Sequence, residues 1–269
     1  MSVASVLPVM STLAAQEGDA DLERRFGGLR RLWGDAAYAR VRAARVAVVG
    51  VGGVGSWAVE ALARSGVAEL VLIDLDHVAE SNINRQIQAL GATVGAAKVQ
   101  ALRERIADIH PGCRVHAVED FVEPENWPAL LPIEVDGVID ACDRNAAKLA
   151  MARWALAGGH RLVMAGAAGG KSHPERVEAA DLAEVTHDPL LARLRQQLRR
   201  EGAPRQGRIG VRCIFSRETV QRPQTDGACA VDGSLNCHGY GSSVMVTASF
   251  GLAAAAQILE GVRADARGA

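Results

Sequence analysis

The amino-acid sequence predicts an α/β fold: one doubly wound, mainly parallel sheet with helices on both faces, followed by a C-terminal embellishment. Three observations predict it. Six short runs rich in β-branched residues recur at 45–50, 69–74, 113–118, 135–140, 161–165 and 211–215. Helical patterns at 54–65, 94–109 and 145–157 lie between them. Strands that alternate with helices pair in parallel, because a parallel partner needs a crossover to bring the chain back. A glycine-rich turn joins the first run to the first helix. After Gly170 the alternation fades into loops, an Arg-rich helix at Pro189–Arg200 and a final apolar stretch at 244–259.

The 269 residues, 49% of them hydrophobic, suffice for one large α/β domain. Residues 23–262 are assigned to it, with 1–22 and 263–269 as tails. The first twenty residues lack the basic start and long apolar run of a secretion signal. The stretch 244–259 is interrupted by Thr247, Ser249, Gly251 and Gln257, which reads as a buried helix and not a membrane span. Cys113, Cys142, Cys213, Cys229 and Cys237 form no C-x-x-C pair, so neither a disulfide framework nor a zinc site is expected, and a reducing, cytoplasmic compartment fits. His77, His173, His187 and His238 are equally scattered.

A net charge of −1 hides an asymmetry. Between Leu190 and Arg222 stand nine Arg and only two acids, Glu201 and Glu218, so this stretch carries +7 and the remainder −8. Such a segment is either a solvated face or a surface for an anionic partner such as RNA.

The first run, Val46-Ala47-Val48-Val49, passes into Gly50-Val51-Gly52-Gly53-Val54-Gly55 and directly into a helical pattern. This is G-x-G-x-x-G in the strand–turn–helix context it needs. Gly50, Gly52, Gly53 and Gly55 let the backbone approach a phosphate, and the helix start offers unpaired N–H groups. Asp74 closes the second run twenty-four residues after Gly50, where a carboxylate accepts ribose hydroxyls. NAD and ATP fit equally well up to this point.

The polar stretch beyond Asp74 separates them. It reads Asp74-Leu75-Asp76-His77-Val78-Ala79-Glu80-Ser81-Asn82-Ile83-Asn84-Arg85-Gln86, which a nicotinamide site does not require. Asn82 can bond a phosphate or ribose oxygen, and Arg85 offers a charged fork to phosphates. Lys98, early in the next helix, adds a second cation. Asp143 follows the fourth run at the sheet edge where open α/β folds place ligand groups, and can hold Mg²⁺ against phosphates. Singly each is an ordinary surface charge or cap; together they favour a triphosphate over a dinucleotide.

These motifs resemble the Rossmann-like adenylating core of the ubiquitin-activating-enzyme-like superfamily, which includes the molybdopterin and thiamine pathway adenylyltransferases. The resemblance implies ATP and Mg²⁺. Asp74, with Asp76 in the same strand-end motif, would hold the ribose side of the nucleotide; Asn82, Arg85, Gln86 and Lys98 would surround the phosphates; Asp143 would bind the metal. Arg85, Lys98 and Asp143 are the implied catalytic groups. Further similarity points to one branch. Arg25-Phe26-Gly27-Gly28-Leu29, Trp33-Gly34, Asn82-Ile83-Asn84-Arg85-Gln86-Ile87, Ala165-Gly166-Ala167-Ala168-Gly169-Gly170, Asp188-Pro189-Leu190 and Gly210-Val211-Arg212-Cys213-Ile214-Phe215-Ser216 look like the tRNA threonylcarbamoyladenosine dehydratases, over about residues 23–262.

That branch implies adenylation of the threonyl carboxylate of a modified adenosine beside the anticodon, then ring closure with loss of water. It implies a tRNA substrate, a homodimer, and room for a cysteine desulfurase or sulfur-acceptor partner. Arg193, Arg195, Arg199, Arg200, Arg205 and Arg208 become candidate tRNA phosphate contacts, and Lys171 with its glycine run a candidate lining for the base. Relatives place an N-terminal Arg across the dimer. Here the corresponding slot falls near Gly28, so Arg25, Arg30 or Arg31 must serve. The competing readings are activation of a ubiquitin-like sulfur carrier, disfavoured by the missing zinc cysteines, and a NAD-binding oxidoreductase. Ring closure needs no enzyme nucleophile, so Cys229 and Cys237 are expected to be dispensable.

Overall fold

The computed structural model describes residues 20–221 and 240–265. Its centre is a seven-stranded sheet of β1 (Arg45–Val49), β2 (Glu69–Ile73), β3 (Arg114–Val118), β4 (Gly137–Asp140), β5 (Leu162–Ala165), β6 (Val177–Asp181) and β7 (Arg212–Ser216). The strand order is β3-β2-β1-β4-β5-β7-β6. Every neighbouring pair is parallel except β6 with β7, which is antiparallel. All six expected runs are strands. The unexpected one, β6, is an edge strand whose sequence Val-Glu-Ala-Ala-Asp carries little apolar signal, because small Ala179 and Ala180 pack toward the two clusters.

Alternation along β1 divides the core into two layers. Val46 and Val48 face a cluster with α3 (Gly55–Arg64), α4 (Lys98–Ile109) and α7 (Val244–Ala264). Ala47 and Val49 face another with α5 (Asn145–Gly158) and α6 (Pro189–Arg200). The doubly wound reading therefore holds. The helix expected from residue 94 begins at Lys98, because Ala97 is still extended and bridges antiparallel to His77.

Among the described residues two helices precede the sheet: α1 (Leu22–Trp33), capped by Asp21 accepting from Arg24 N, and α2 (Asp35–Ala43). Phe26 of α1 is buried edge-on against His110, ring centroids 4.9 Å apart. By length and composition α7 could cross a membrane. In this fold Val246, Phe250, Ala254, Ile258 and Val262, four residues apart, bury one face of it. At Gly251 a Cβ would collide with the Val54 carbonyl and with Ala58 N, so glycine permits the close approach of α7 to α3.

Candidate nucleotide site and the adjoining basic face

The chain leaves β1 toward β2 on one side and runs through β4 and β5 on the other, which makes the crevice between β1 and β4 the switch point where such folds bind ligands. The glycine loop fills its rim. Gly50 has φ 77°, and a Cβ there would stand 2.9 Å from Cys142 N, so the loop is pressed onto the end of β4. At Gly55 a Cβ would run into the Gly50 carbonyl. The start of α3 has no side-chain cap; Ser56 N already donates to Gly52 O at 3.1 Å, so an anion here would meet the other amides of the loop and first turn.

Asp74 anchors this loop. Its Oδ2 accepts from Val51 N at 2.8 Å and its Oδ1 from Asp76 N at 2.9 Å. Each carboxylate oxygen keeps a further acceptor site, so these bonds leave room for ribose hydroxyls. Burial pushes the Asp74 pKa up, opposed by the Lys98 charge and the two backbone donors. Lys98 is the first residue of α4, and its Nζ lies 2.7 Å from Asp76 Oδ2.

Asn82 is buried in the turn after β2, where its Oδ1 accepts from Ala79 N at 3.1 Å. Part of its capacity therefore shapes the turn that presents Arg85. The Arg85 carbonyl accepts from Trp57 Nε1 at 2.9 Å, and Nη1 donates to Ser81 O and Asn84 Oδ1. Its aliphatic stem lies 3.4 Å from the position a Gly53 Cβ would take. Burial lowers its pKa from the usual guanidinium value. Gln86 is buried behind the loop: its Oε1 accepts from Gln88 Nε2, which also donates to Val51 O at 3.0 Å.

Asp143 is exposed three residues beyond the end of β4, in the segment whose Cys142 abuts Gly50. Among the described residues no three His, Cys, Asp or Glu side chains form a metal cluster. The glycine loop, Asp74, Asp76, Asn82, Arg85, Gln86, Lys98 and Asp143 thus share one edge of the sheet. Trp57 and Gln88, which hold Arg85 and the loop, were not identified from sequence; the polar run continuing past Gln86 to Gln88 was the available signal.

Lys148 was also missed. Its amine and Asp140 are fully buried, 3.0 Å apart, and Nζ donates to Ala165 O at 2.8 Å. Burial works against the ammonium, but Asp140 outweighs it and raises the pKa. Asp140 Oδ1 in turn accepts from Cys142 N at 3.1 Å. This pair ties β4, β5 and α5 together beneath the Asp143 segment.

Three thiols lie in or against the core. Burial pushes Cys113 up to about 12 and raises Cys142 and Cys213 well above the usual thiol value, so none is a ready nucleophile. Cys229, Cys237 and His238 lie outside the described residues. Lys171 corrects its expected role. Its side chain is fully buried, with Nζ donating to Ser216 O at 3.2 Å and 3.9 Å from Asp188 Oδ2, so it supports the glycine run from below and lines no surface.

The basic face is α6, capped by Asp188 and started by Pro189. Leu190, Leu191, Leu194 and Leu198 bury one stripe of it. On the other side Arg193, Arg195, Arg199, Arg200 and Arg205 line a depression of about 560 Å³. Arg199 Nε is buried there without a hydrogen-bond partner. Two of the candidate arginines also have partners within the chain. Arg195 Nη1 donates to Leu182 O and Val185 O, fixing the turn before α6, and Arg208 lies 3.8 Å from Asp181 Oδ2. At the N-terminus Arg25 Nη1 donates to Asp108 O and Ile109 O at the end of α4, and Arg30 pairs with Glu23 and Asp35. Arg31 makes neither kind of contact.

A glycine loop at the switch point, with two cations held against it, defines a Rossmann-like protein built to bind a phosphorylated nucleotide. Residues 27–266 match the ThiF family, and the chain belongs to it, within the group of tRNA threonylcarbamoyladenosine dehydratases. It is 42% identical to the tRNA threonylcarbamoyladenosine dehydratase of Escherichia coli, over 90% of this chain and 95% of that protein. It is 38% identical to the enzyme of that name from Haemophilus influenzae, over 88% and 93%. The crystal structure of the E. coli enzyme in complex with ATP superposes with a TM-score of 0.81 at 40% identity, covering 89% of this chain and 94% of that one.

Proposed function

We propose that this protein is an ATP-dependent tRNA threonylcarbamoyladenosine dehydratase, acting as a homodimer in the cytoplasm on a single domain of residues 23–262. The observation that carries the reading is the seating of Lys98 and Arg85 beside the glycine loop, the one through Asp76 and the other on Gly53. Two cations there answer a triphosphate and not a nicotinamide. The E. coli relative was crystallised with ATP and with AMP, the first reactant and the last product of such a reaction.

A carboxylate is a poor electrophile because its leaving group would be oxide. Attack by its oxygen on the α-phosphorus breaks the bond to the β-phosphate, giving an acyl-adenylate and pyrophosphate. Arg85 and Lys98 offset the charge that develops on the departing phosphates. The carbamoyl group then attacks the acyl carbon, and AMP leaves with the former carboxylate oxygen while a proton passes to solvent. Because both groups belong to one nucleoside, positioning alone contributes up to roughly 7–11 kcal/mol.

Magnesium fits the donor set. One exposed carboxylate, Asp143, suits an ion that keeps most of its shell for water and phosphate oxygens. Bound there it would supply charge neutralisation to the phosphates. Arg31 is the proposed arginine that reaches the partner's site, since Arg25 and Arg30 are engaged within their own chain. The arginines lining the depression are assigned to tRNA phosphates, with Arg193, Arg199 and Arg200 of α6 and Arg205 of the following loop as contacts. A cysteine desulfurase or sulfur-acceptor partner remains a further proposal of the family resemblance.

The test is mass spectrometry of nucleosides from tRNA carrying threonylcarbamoyladenosine, after incubation with the protein and ATP. Loss of one water from the modified nucleoside, with stoichiometric AMP, is expected. Pyrophosphate exchange driven instead by a protein ending in Gly-Gly would replace this reading with carrier activation.

A further inference from the structure

We propose that a cavity at the start of α6 receives an unstacked base of the tRNA, adjacent in sequence to the adenosine being activated; the proposal rests on the tRNA reading above. The cavity measures about 470 Å³. It adjoins the arginine-lined depression, and Ala192 and Arg195 line both. An RNA strand lying along α6 would therefore meet cations in one hollow and flat, partly apolar walls in the next.

The lining has the chemistry of single-stranded base recognition. His187 and Tyr240 supply rings on which a base can stack, and Val185, Pro189 and Val220 supply apolar walls. Thr186 and Thr219 add hydroxyls that can meet a base edge. Arg195, by bonding Leu182 O and Val185 O, holds the turn that carries His187.

Location supports the same assignment. The two residues after Tyr240 are clamped: Gly170 N donates to Gly241 O at 2.8 Å, and Asn84 Nδ2 donates to Ser242 O at 3.0 Å. Asn84 is next to Arg85 in the turn of the nucleotide site. Three extended residues span no more than roughly 10 Å. The cavity is thus joined through this segment to the turn that carries Arg85, on the side of the site where the modified adenosine must be adenylated.

The backbone at His187 adds a third observation. It is the one described non-glycine residue with positive φ, at 57°. Its exposed ring bonds Thr186 Oγ1, its immediate neighbour, while the helix cap is made by Asp188. Residues held in this region concentrate at ligand clamps.

The experiment uses full-length tRNA carrying threonylcarbamoyladenosine in three forms: intact, abasic at the 5′ neighbour, and abasic at the 3′ neighbour. The proteins are the unaltered chain, His187→Asn, which tolerates the left-handed backbone, and Tyr240→Leu. On intact tRNA each variant is expected to raise KM about 5- to 150-fold with kcat little changed. One abasic tRNA should show a similar loss with the unaltered chain, and on it the variants should lose nothing more. Losses that multiply on both abasic tRNAs, or variants that match the unaltered chain on intact tRNA, overturn the proposal. If the unaltered chain fails to dehydrate intact tRNA, the tRNA reading itself falls and takes the base pocket with it.

Discussion

Lys98 Nζ stands 2.7 Å from Asp76 Oδ2, the lysine side chain 8% exposed and the aspartate 53%. Asp76 thereby keeps a cation at the glycine loop ahead of any phosphate, and a triphosphate must compete for it. Lys98→Ala is expected to lower the rate of AMP formation about 10²–10³-fold, the range for losing one preorganised charge-stabilising donor. Stability should fall by no more than ~1 kcal/mol, because the partner carboxylate is open to water. AMP assays and urea unfolding on the same preparation check both halves.

Asp143 is exposed at the end of a loop, so no core packing rests on it. Asp143→Ala should abolish adenylation while the unfolding midpoint stays that of the unaltered chain. Near-normal turnover in that variant would remove Asp143 from the reaction.

Lys148 presents the opposite balance. It and Asp140 are completely buried and each is the other's counter-charge, with Ala165 O taking a second amine proton. Lys148→Met leaves a buried carboxylate unpaired, which costs about 3–5 kcal/mol. Denaturant titration measures it. Adding Asp140→Asn should recover much of the loss, since the stranded charge is then gone; no recovery would mean the lysine acts through packing alone.

What the sequence disclosed follows from where geometry is strict. Gly50 and Gly55 are legible because any Cβ there meets the backbone of the β4 end or of the loop itself, and a strand–glycine–helix pattern has few other uses. Asp74 and Lys98 are legible by spacing from that loop. The Lys148–Asp140 pair is not, because eight residues of separation reveal nothing until β4 and α5 pack together. The backbone partners of Arg195 are illegible for a similar reason. The residue borders the Leu191–Leu194–Leu198 stripe, and only the fold brings the 182–185 turn within reach of its guanidinium. Edge strand β6 escaped because its acids and alanines mark no buried face.

His110 gives a pH dependence with a defined sign. Burial, reinforced by the Arg42 charge, lowers its pKa from 6.5 to about 4. Arg42 Nη1 lies 2.9 Å from Nε2, and a guanidinium can only donate, so the folded protein holds the neutral ring. Between those two values the unfolded chain binds the extra proton and the folded one does not. Stability is therefore full above 6.5 and lost as pH falls toward 4, at up to ~1.4 kcal/mol per pH unit. His110→Gln should flatten this part of the curve, measured by urea unfolding across the window; an unchanged slope would show that other groups cause it.

The arginines around the depression divide into two kinds, and salt separates them. Arg193, Arg200 and Arg205 are exposed along the depression, whereas Arg195 is tied to two backbone carbonyls. Each phosphate contact releases counter-ions, so replacing Arg200 or Arg205 with Ala should lower the slope of log affinity against log salt by about 0.7–0.9. The KM for ATP should not move, because these residues lie on a different element from the glycine loop. Arg195→Ala should instead cost about 1–3 kcal/mol of stability by stripping the Leu182 and Val185 carbonyls of their donor. Filter binding of tRNA over a salt series, beside denaturant melts, distinguishes the two. Equal slopes for Arg200→Ala and the unaltered chain would mean that the tRNA lies elsewhere.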